Sequence, residues 1–297
     1  MSEVIVGVIG GSGLYEIEGI ENVREVVLET PFGAPSDAYI VGELEGATCV
    51  FLPRHGRGHR FTPSEVNYRA NVWGMKKLGV RHVISVSAVG SLREEIVPGH
   101  LVFPDQFIDR TKDRPATFFG GGCVAHIQFG DPVEEHLRRV LLESAREAGA
   151  TTHDGGTYVV MEGPAFSTRA ESNMHRAWGA SVIGMTNLPE AKLAREAELA
   201  YATVALATDY DCWHEHHDDV TVEAVLAVIK HNVALAKDVI RGSVRRLVAL
   251  GPVEWPAHHA LMGGGAVMTR HDLIPAEAKA RLDLLLGKYL WPEETAK

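Results

Sequence analysis

The sequence AYATVALATDYDCW, residues 200–213, is an apolar run that ends in two carboxylates, Asp209 and Asp211. A continuous apolar run of this length, rich in Ala and Val, predicts a strand buried on both faces of a sheet. Ligands of open α/β sheets bind at the carboxyl ends of the strands, so we expect these carboxylates to line a cleft. Two neighbouring carboxylates in a partly desolvated site resist ionising together, which favours one protonated group that acts as a general acid. The alternative is a solvated turn after the strand.

Composition and charge narrow the class of protein. Hydrophobic residues make up 45% and charged residues 23% of the 297 residues, which is typical of a globular protein, and we favour one large α/β domain. The formal net charge of −10 argues against broad binding to nucleic acid or anionic membranes, but it leaves room for a local basic pocket. No apolar run approaches the roughly 20 residues of a membrane span, and the start is unlike a signal peptide, so we expect a cytoplasmic protein. Three cysteines fit no zinc spacing and are expected to be reduced packing residues: Cys49, Cys123 and Cys212.

A glycine-rich turn follows the first predicted strand, residues 4–9. Its sequence is GGSGL, residues 10–14, and its backbone N–H groups together with the Ser12 hydroxyl are suited to phosphate oxygens. The glycine spacing matches neither a dinucleotide fingerprint nor a Walker loop. A tight turn with a purely structural role is therefore the alternative.

A basic loop follows the predicted strand at residues 48–52. The loop PRHGRGH, residues 53–59, carries four cationic or titratable side chains and two glycines, which together form a credible clamp for an oxyanion. Its side chains of interest are Arg54, His55, Arg57 and His59. A solvated basic loop is the alternative, but both this loop and the glycine-rich turn follow predicted strands and both suit phosphate.

The rest of the chain alternates strand and helix patterns, as α/β proteins do. Strand 82–88 ends at Ser87 and the Ala88 N–H, a third potential phosphate contact. The other predicted strands are 39–44, 157–162 and 181–186, and the predicted helices are 67–78, 132–148, 189–197, 222–250 and 276–290, with a capping box near 167–171. Residues 110–123 are expected to form a loop or lid, and His126 after it is a type of residue more often structural than catalytic.

Six motifs occur in one order between residues 10 and 213: GGSGL, RHGRGH, SAVGSLREE, DQFIDRT, EGPAFSTRAE and ATDYDCW, within a match that covers roughly residues 7–247. Together they resemble the 5′-methylthioadenosine phosphorylases, which belong to the trimeric branch of the purine nucleoside phosphorylases. The resemblance implies a single α/β domain over residues 1–250, with a central mixed β-sheet flanked by helices. Residues 251–297 would be a C-terminal linker and helical extension that covers either its own domain or a neighbouring subunit.

The resemblance also implies a reaction. The family phosphorolyses 5′-methylthioadenosine to adenine and 5-methylthioribose 1-phosphate, a pentosyl transfer in purine and methionine salvage. Inorganic phosphate is a co-substrate, and neither a cofactor nor a metal is implied. A homotrimer is expected, with a hexamer as the alternative, and no nucleic-acid or membrane partner.

Site residues carry over from the family by matching position. The phosphate would lie among Ser12, Arg54, His55, His59, Ser87, Ala88 and Thr186. Asp209 would supply a proton or hydrogen bond near purine N7, and Asp211 would fix the purine edge or tune Asp209. Phe166 would contact the base and Met185 would lie under the ribose. The methylthio pocket would be formed by Val222, Val225 and Leu226, and a neighbouring subunit would lend His126.

Base preference rests on the pair Asp209 and Ser167. Relatives specific for 6-oxopurines carry Asn and Glu at these two positions, so the pair favours adenine. The chain departs from the family pattern at Ala165, where Arg is usual, and at Asn187, where Thr is typical. Three alternatives stay open: a phosphorylase of a 6-oxopurine nucleoside such as 5′-methylthioinosine or inosine, a non-catalytic nucleotide-binding regulator, and a zinc protein built on residues 214–217.

Overall fold

The computed structural model describes residues 4–11, 14, 16–214 and 222–291, and it describes the side chains of all of these except 222–227 and 229–231. The strands are β1 (Ile5–Gly10), β2 (Glu21–Val26), β3 (Tyr39–Leu44), β4 (Ala47–Pro53), β5 (His82–Ser91), β6 (Leu101–Phe103), β7 (Gln106–Arg110), β8 (Thr152–Asp154), β9 (Thr157–Met161), β10 (Val182–Gly184) and β11 (Ala200–Asp209). The helices are α1 (Tyr68–Lys77), α2 (Glu135–Glu147), α3 (Arg169–Ala177), α4 (Asn187–Glu196), α5 (Val222–Leu250) and α6 (Ala276–Leu290).

One mixed sheet contains all of these strands. Its main path runs β2-β3-β4-β1-β5-β10-β9-β7, while β11 pairs with β5 and β6, and β6 pairs with β8. Strand β5 is the hub, because it pairs in parallel with β1 and β11 and, at its carboxyl end, antiparallel with β10. The expected α/β fold with a central mixed sheet and flanking helices is confirmed.

Strand β11 is buried on both faces, as its apolar sequence predicts. Alternate side chains enter two hydrophobic clusters, with Tyr201 and Ala205 in one and Ala202 and Val204 in the other. Helices α1, α4 and α6 contribute to the first cluster, and α2 and α5 contribute to the second. Only Asp209, at the carboxyl end, is partly exposed. The core therefore holds β11 rigidly and presents its last residue at an edge.

Most predicted elements occur, and the differences have local causes. Helices α5 and α6 have the predicted bounds, and the predicted capping box forms between Thr168 and Glu171. Strand β5 continues to Ser91, three residues beyond its predicted end, because its last two residues pair with β10. The patterns missed β2, which is an exposed edge strand, and β6 and β8, which have three residues each. They also missed β7, a partly exposed strand that was assigned to no element.

The C-terminal segment packs on its own chain. Leu282 and Leu285 of α6 lie in the same cluster as α1 and α4, and Glu198 accepts hydrogen bonds from Lys288 at 2.9 Å and from the backbone N–H of Leu261 at 3.1 Å. The predicted linker contains two short 3₁₀ helices, Pro256–His259 and Met262–Gly264. Of the two surfaces considered for α6, the chain's own core is the one it covers, while a domain boundary at residue 250 stays a prediction.

Two further observations concern the chain as a whole. Cys49 and Cys123 are buried, Cys212 is partly buried, and none of the three forms a disulfide. Across the described residues, no helix combines the length and apolar character needed to cross a membrane.

Candidate active site

The carboxyl ends of β5 and β11 lie side by side and form the centre of the candidate site. In their parallel register Ala205 pairs with Ser87, and Asp209 pairs with Gly90 after an irregularity at Thr208. The irregularity shifts the pairing by one residue and so re-aims the end of the strand. Residues predicted from two distant motifs are thereby brought to one edge of the sheet.

The Asp209 carboxylate is held by short local hydrogen bonds. Its Oδ2 accepts from the Thr208 hydroxyl at 2.6 Å, and its Oδ1 accepts from the Asp211 backbone N–H at 2.8 Å. Burial raises the pKa of Asp209, and these two bonds oppose the rise while the nearby charge of Asp211 adds to it. A raised pKa is the property that the general-acid role requires.

The second carboxylate, Asp211, lies in a sharp turn with a left-handed backbone, φ +51°. It is buried, and its Oδ2 has no hydrogen-bond partner among the described residues. Burial raises the pKa of Asp211, while the hydroxyls of Ser172 and Ser167 and the His175 ring act to lower it. A buried acceptor atom that lacks a partner costs free energy, so Oδ2 has hydrogen-bonding capacity that the described residues leave unused.

Space for the carboxylates is made by Gly90. A Cβ at this position would lie 2.9 Å from Asp209 Oδ1 and 3.2 Å from the Asp211 Cβ. The first distance is shorter than side-chain atoms tolerate without moving. Gly90 therefore belongs to the site, although the sequence patterns assigned it no role there.

The hydroxyls of Ser87 and Thr186 lie close together near the carboxyl end of β5. Ser87 Oγ lies 3.3 Å from Thr186 Oγ1 and 3.0 Å from the Tyr158 hydroxyl. Thr186 occupies the N-cap position of α4, yet its side chain makes no capping hydrogen bond. Ala88, next to Ser87, is exposed. Three predicted phosphate contacts thus lie together on β5 and at the start of α4.

Arg54 is engaged within the protein. It is buried, and it donates to both carboxylate oxygens of Glu190, from Nε at 2.8 Å and from Nη2 at 2.9 Å. Further bonds reach the Ser85 hydroxyl at 2.7 Å and the Val86 carbonyl at 3.1 Å. The loop was expected to be strongly cationic, but Glu190, a residue that sequence reasoning missed, neutralises this charge.

The remaining side chains of the basic loop have three different environments. Arg57 forms an ion pair with Glu25 at 2.8 Å. Burial, and then the charge of Arg54, lowers the pKa of His55 to about 4, so its ring is neutral at pH 7. His55 Nδ1 lies 2.8 Å from the Phe61 carbonyl and must donate to it, which leaves Nε2 as an acceptor. His59 stacks on this ring, with centroids 4.3 Å apart.

The predicted base and ribose contacts lie around residues 161–167 and 185. Phe166 is 50% exposed, so its ring is open to a ligand. Ser167 is half-buried; its hydroxyl lies 3.7 Å from the Met161 sulfur, and its carbonyl accepts from the Cys212 thiol at 3.2 Å. Met185 packs against Gly163, where an added Cβ would lie 2.5 Å from the Met185 sulfur.

Arg114 organises this side of the site, and sequence reasoning missed it. It is buried, and it donates to the carbonyls of Met185 at 2.6 Å, Leu188 at 2.9 Å and Glu162 at 2.6 Å. No spacing rule finds such a residue, because its partners are 48 to 74 positions away. It was assigned only to a charged loop or lid.

Other predicted residues are placed elsewhere or lie outside the described part. Ser12 is not described, nor are the side chains of Val222, Val225 and Leu226. His126 is exposed, and its backbone N–H donates to the Ala266 carbonyl at 2.9 Å.

The two departures from the family pattern differ in placement. Ala165 is exposed near Phe166. Asn187 is fully buried, and its amide nitrogen donates to the Thr203 hydroxyl at 2.5 Å. The side chain of Asn187 therefore bonds to strand β11 in the protein interior.

Nothing in the described part of the chain groups three or more His, Cys, Asp or Glu side chains around a possible metal position. Residues 215–217 of the zinc alternative lie outside that part, and His214 stacks on Tyr210 with centroids 4.7 Å apart. That alternative is untested.

Comparison with known proteins decides the family, since a family model described as the phosphorylase superfamily matches residues 5–245. The chain belongs to this superfamily. It is 64% identical, over 97% of its length and 100% of the relative's, to the S-methyl-5′-thioadenosine phosphorylase of Geobacter sulfurreducens. The corresponding protein of Synechocystis is 58% identical over 97% of this chain and 88% of its own.

Solved structures of the superfamily share the fold. A methylthioadenosine phosphorylase from an antarctic soil metagenomic library superposes with a TM-score of 0.90 at 48% identity, covering 96% of this chain and 100% of the other. The Schistosoma mansoni methylthioadenosine phosphorylase in complex with adenine gives a TM-score of 0.81 at 38% identity, covering 89% and 99%. The resemblance inferred from the six motifs is confirmed.

Proposed function

We propose that the protein catalyses phosphorolysis of 5′-methylthioadenosine to adenine and 5-methylthioribose 1-phosphate. The observation that carries the proposal is the pair of carboxylates at the end of β11, the partly exposed Asp209 and the buried Asp211. They stand at the same sheet edge as the hydroxyls of Ser87 and Thr186 on the neighbouring elements. The names of the similar proteins support the same activity.

The reaction needs two opposite electrostatic environments. A phosphate oxygen forms the bond to C1′ while the C1′–N9 bond breaks, and the departing base keeps the bonding electrons and accepts a proton or hydrogen bond at N7. The sugar becomes oxocarbenium-like on the way, so phosphate on one side and a proton donor on the other both lower the barrier. Asp209, with its raised pKa, is proposed as that donor, and Asp211 Oδ2 as an acceptor for the purine edge.

Phosphate is proposed to lie against the hydroxyl pair and the Ala88 N–H. His55 Nε2, an acceptor on a neutral ring, suits the P–OH proton of a phosphate monoanion or dianion. Arg54 stays a predicted member of this set, but its pairing with Glu190 makes it a fixed part of the framework rather than a free clamp. Ser12 and His59 stay predictions as well.

Adenine is the proposed base. A carboxylate accepts a hydrogen bond from a 6-amino group, whereas a 6-oxo group offers no donor at that atom. Ser167 is half-buried near Asp211. Relatives specific for 6-oxopurines carry Glu at this position, so Ser167 also favours adenine. Phe166 is proposed to contact the base and Met185 the ribose.

Assembly is a further part of the proposal. We infer a homotrimer in which His126, exposed in the isolated chain, enters a neighbouring site. Val222, Val225 and Leu226 are proposed for the methylthio group on the family pattern alone. A cytoplasmic location stays a prediction.

The experiment measures base release from 5′-methylthioadenosine with and without phosphate, beside 5′-methylthioinosine as a second substrate. Phosphate-dependent adenine release, faster than hypoxanthine release, is the expected result. Preferential hypoxanthine release would keep the reaction but overturn the base assignment. Release without phosphate would indicate a hydrolase, and binding without turnover would indicate the non-catalytic alternative. Sedimentation at several protein concentrations tests the trimer separately.

A further inference from the structure

A cavity of about 380 Å³ opens between the start of α1, the loop after β7 and helix α6. Its wall includes two arginines, three phenylalanines and two adjacent glycines, and we name it the two-arginine pocket. It shares no lining residue with the candidate active site. The residues that matter are Phe32, Arg69, Phe118, Gly121 and Arg281.

Charge is the unusual property of this pocket. No Asp or Glu lines it, although the whole chain has a formal net charge of −10. Neither Arg69 nor Arg281 forms an ion pair with an acidic side chain in the part of the chain that the structure describes. Arg69 Nε is buried and has no hydrogen-bond partner within the described residues. Arg281 donates from Nη2 to the Gly120 carbonyl at 2.7 Å, a neutral acceptor that leaves its charge uncompensated.

The two guanidinium groups also act on each other. Burial, and after it the charge of Arg281, lowers the pKa of Arg69. Two like charges held at one cavity repel each other, and an anion between them removes the repulsion while pairing with both. Both side chains are partly buried, and the Nε of Arg69 has lost its contact with water without gaining a hydrogen-bond partner within the described residues.

The walls hold the arginines in place and leave room between them. The Arg69 guanidinium lies over the Phe32 ring, 5.2 Å from its centroid, and Phe32 packs on Phe118 with centroids 5.1 Å apart. Gly121 has φ +58°, and a Cβ there would lie 3.1 Å from Arg281 Nη2. Glycine at this position therefore keeps the approach to Arg281 open.

We propose that the two-arginine pocket is a second anion site, which binds a small molecule carrying a phosphate or carboxylate group. The anion accepts hydrogen bonds from Arg69 and Arg281, and an apolar part of the molecule lies on Phe32 and Phe118. Guanidinium groups suit these ligands because their planar N–H donors match two oxygens at once.

One loop contributes residues both to the pocket and to the surroundings of the candidate active site. Glu196 accepts from the Phe118 backbone N–H at 2.8 Å and from the Thr117 hydroxyl at 2.7 Å, which anchors this wall. The same loop contains Arg114, which donates to the Met185 carbonyl. The loop that forms this wall of the pocket therefore also holds the proposed ribose contact.

The test must separate this site from the phosphate site of the reaction. Inorganic phosphate is titrated calorimetrically into a Ser87→Ala/Thr186→Val background, in which the catalytic phosphate site is weakened. We expect one saturable binding event to remain there. Adding Arg281→Gln should weaken it about tenfold, as for loss of a hydrogen bond to a charged group. Lys279→Gln, a change on the same helix outside the pocket, should leave it unchanged.

Phenyl phosphate serves as a second probe. Tighter binding than inorganic phosphate is expected, because the phenyl ring lies on Phe32, and equal or weaker binding would overturn the proposed apolar contact. The proposal is overturned if the background variant shows no saturable binding of either probe, or if Arg69→Gln and Arg281→Gln both bind as the background does. Arg281→Gln should keep basal phosphorolysis at the wild-type rate, so failure here is distinguishable from failure of the proposed function.

Discussion

The cation Arg54 and the carboxylates Asp209 and Asp211 differ in how far the protein compensates their charges and fills their hydrogen bonds. Arg54 is fully compensated, because Glu190 neutralises its charge and three further acceptors take its N–H groups. Asp209 and Asp211 are under-compensated, since no cation pairs with either in the described residues and Asp211 Oδ2 has no partner. Both regions lie near the carboxyl ends of strands in the same sheet. Only the carboxylate region keeps an acceptor atom that no described residue bonds.

This difference indicates a structural role for the Arg54–Glu190 pair and a chemical role for the two carboxylates. A buried ion pair with saturated hydrogen bonds fixes geometry, and removing one partner is far costlier than the pair is worth. A carboxylate that is buried without a cation keeps its proton to higher pH, which serves proton donation but costs stability. The five expectations that follow test this division, from the largest effect to the smallest.

Asp209→Asn should lower kcat by a factor between about 10² and 10⁴, because the general acid is lost while the shape is kept. Steady-state rates with 5′-methylthioadenosine and saturating phosphate measure this. Asp272→Asn, a change at an exposed residue that pairs with Arg270, is the control and should behave as wild type. A kcat within twofold of wild type in Asp209→Asn would remove Asp209 from the mechanism.

Glu190→Gln should destabilise the protein by about 3 kcal/mol or more, because it leaves the Arg54 charge buried without a counter-ion. Urea unfolding followed by circular dichroism measures the free energy of unfolding. The matched control is Glu143→Gln, which breaks a half-exposed pair with Arg246. We expect the control to change stability by less than about 1 kcal/mol. Equal effects in the two variants would contradict the framework role.

Gly90→Ala should destabilise the protein by about 1 to 3 kcal/mol and reduce kcat/KM, since the added methyl meets Asp209 Oδ1 at 2.9 Å. Unfolding and rate measurements on the same preparation test both effects. Gly130→Ala is the control, because a Cβ there meets nothing within 4 Å. Wild-type activity in Gly90→Ala would show that Asp209 tolerates displacement.

Thr186→Val should raise the KM for phosphate several-fold with a smaller effect on the nucleoside KM, since one neutral hydroxyl contributes about 1 kcal/mol. Initial rates over a phosphate series measure it. Thr62→Val, which removes an exposed hydroxyl bonded to Glu65, should leave both KM values unchanged. An unchanged phosphate KM in Thr186→Val would place phosphate elsewhere.

The pH dependence of stability should carry a small signature of the raised carboxyl pKa values. A carboxyl whose pKa is raised on folding binds its proton more tightly in the folded state. Stability therefore falls as pH rises from the ordinary value near 4 through the raised pKa of Asp209. Asp209→Asn should flatten that part of the profile. A profile identical in the two proteins would contradict a raised pKa.

Sequence patterns predicted the regular elements well where the pattern was long. The bounds of α5 and α6 and the burial of β11 follow from apolar spacing alone. Edge and three-residue strands escaped prediction because pairing partners, rather than their own composition, define them. The extension of β5 to Ser91 has the same cause, since β10 lies about ninety residues later.

Within the site, the sequence by itself determined which residue types stand at strand ends. Asp209 and Asp211 follow an apolar run, and Ser87 ends another, so their placement at one sheet edge follows from local pattern and from the rule for α/β sheets. The tertiary structure alone decided their charge and contacts. Glu190 meets Arg54 across 136 positions, and burial lowers the pKa of His55 to about 4. Charge compensation depends on distance in space and on exclusion of water, and neither quantity is written in the order of residues.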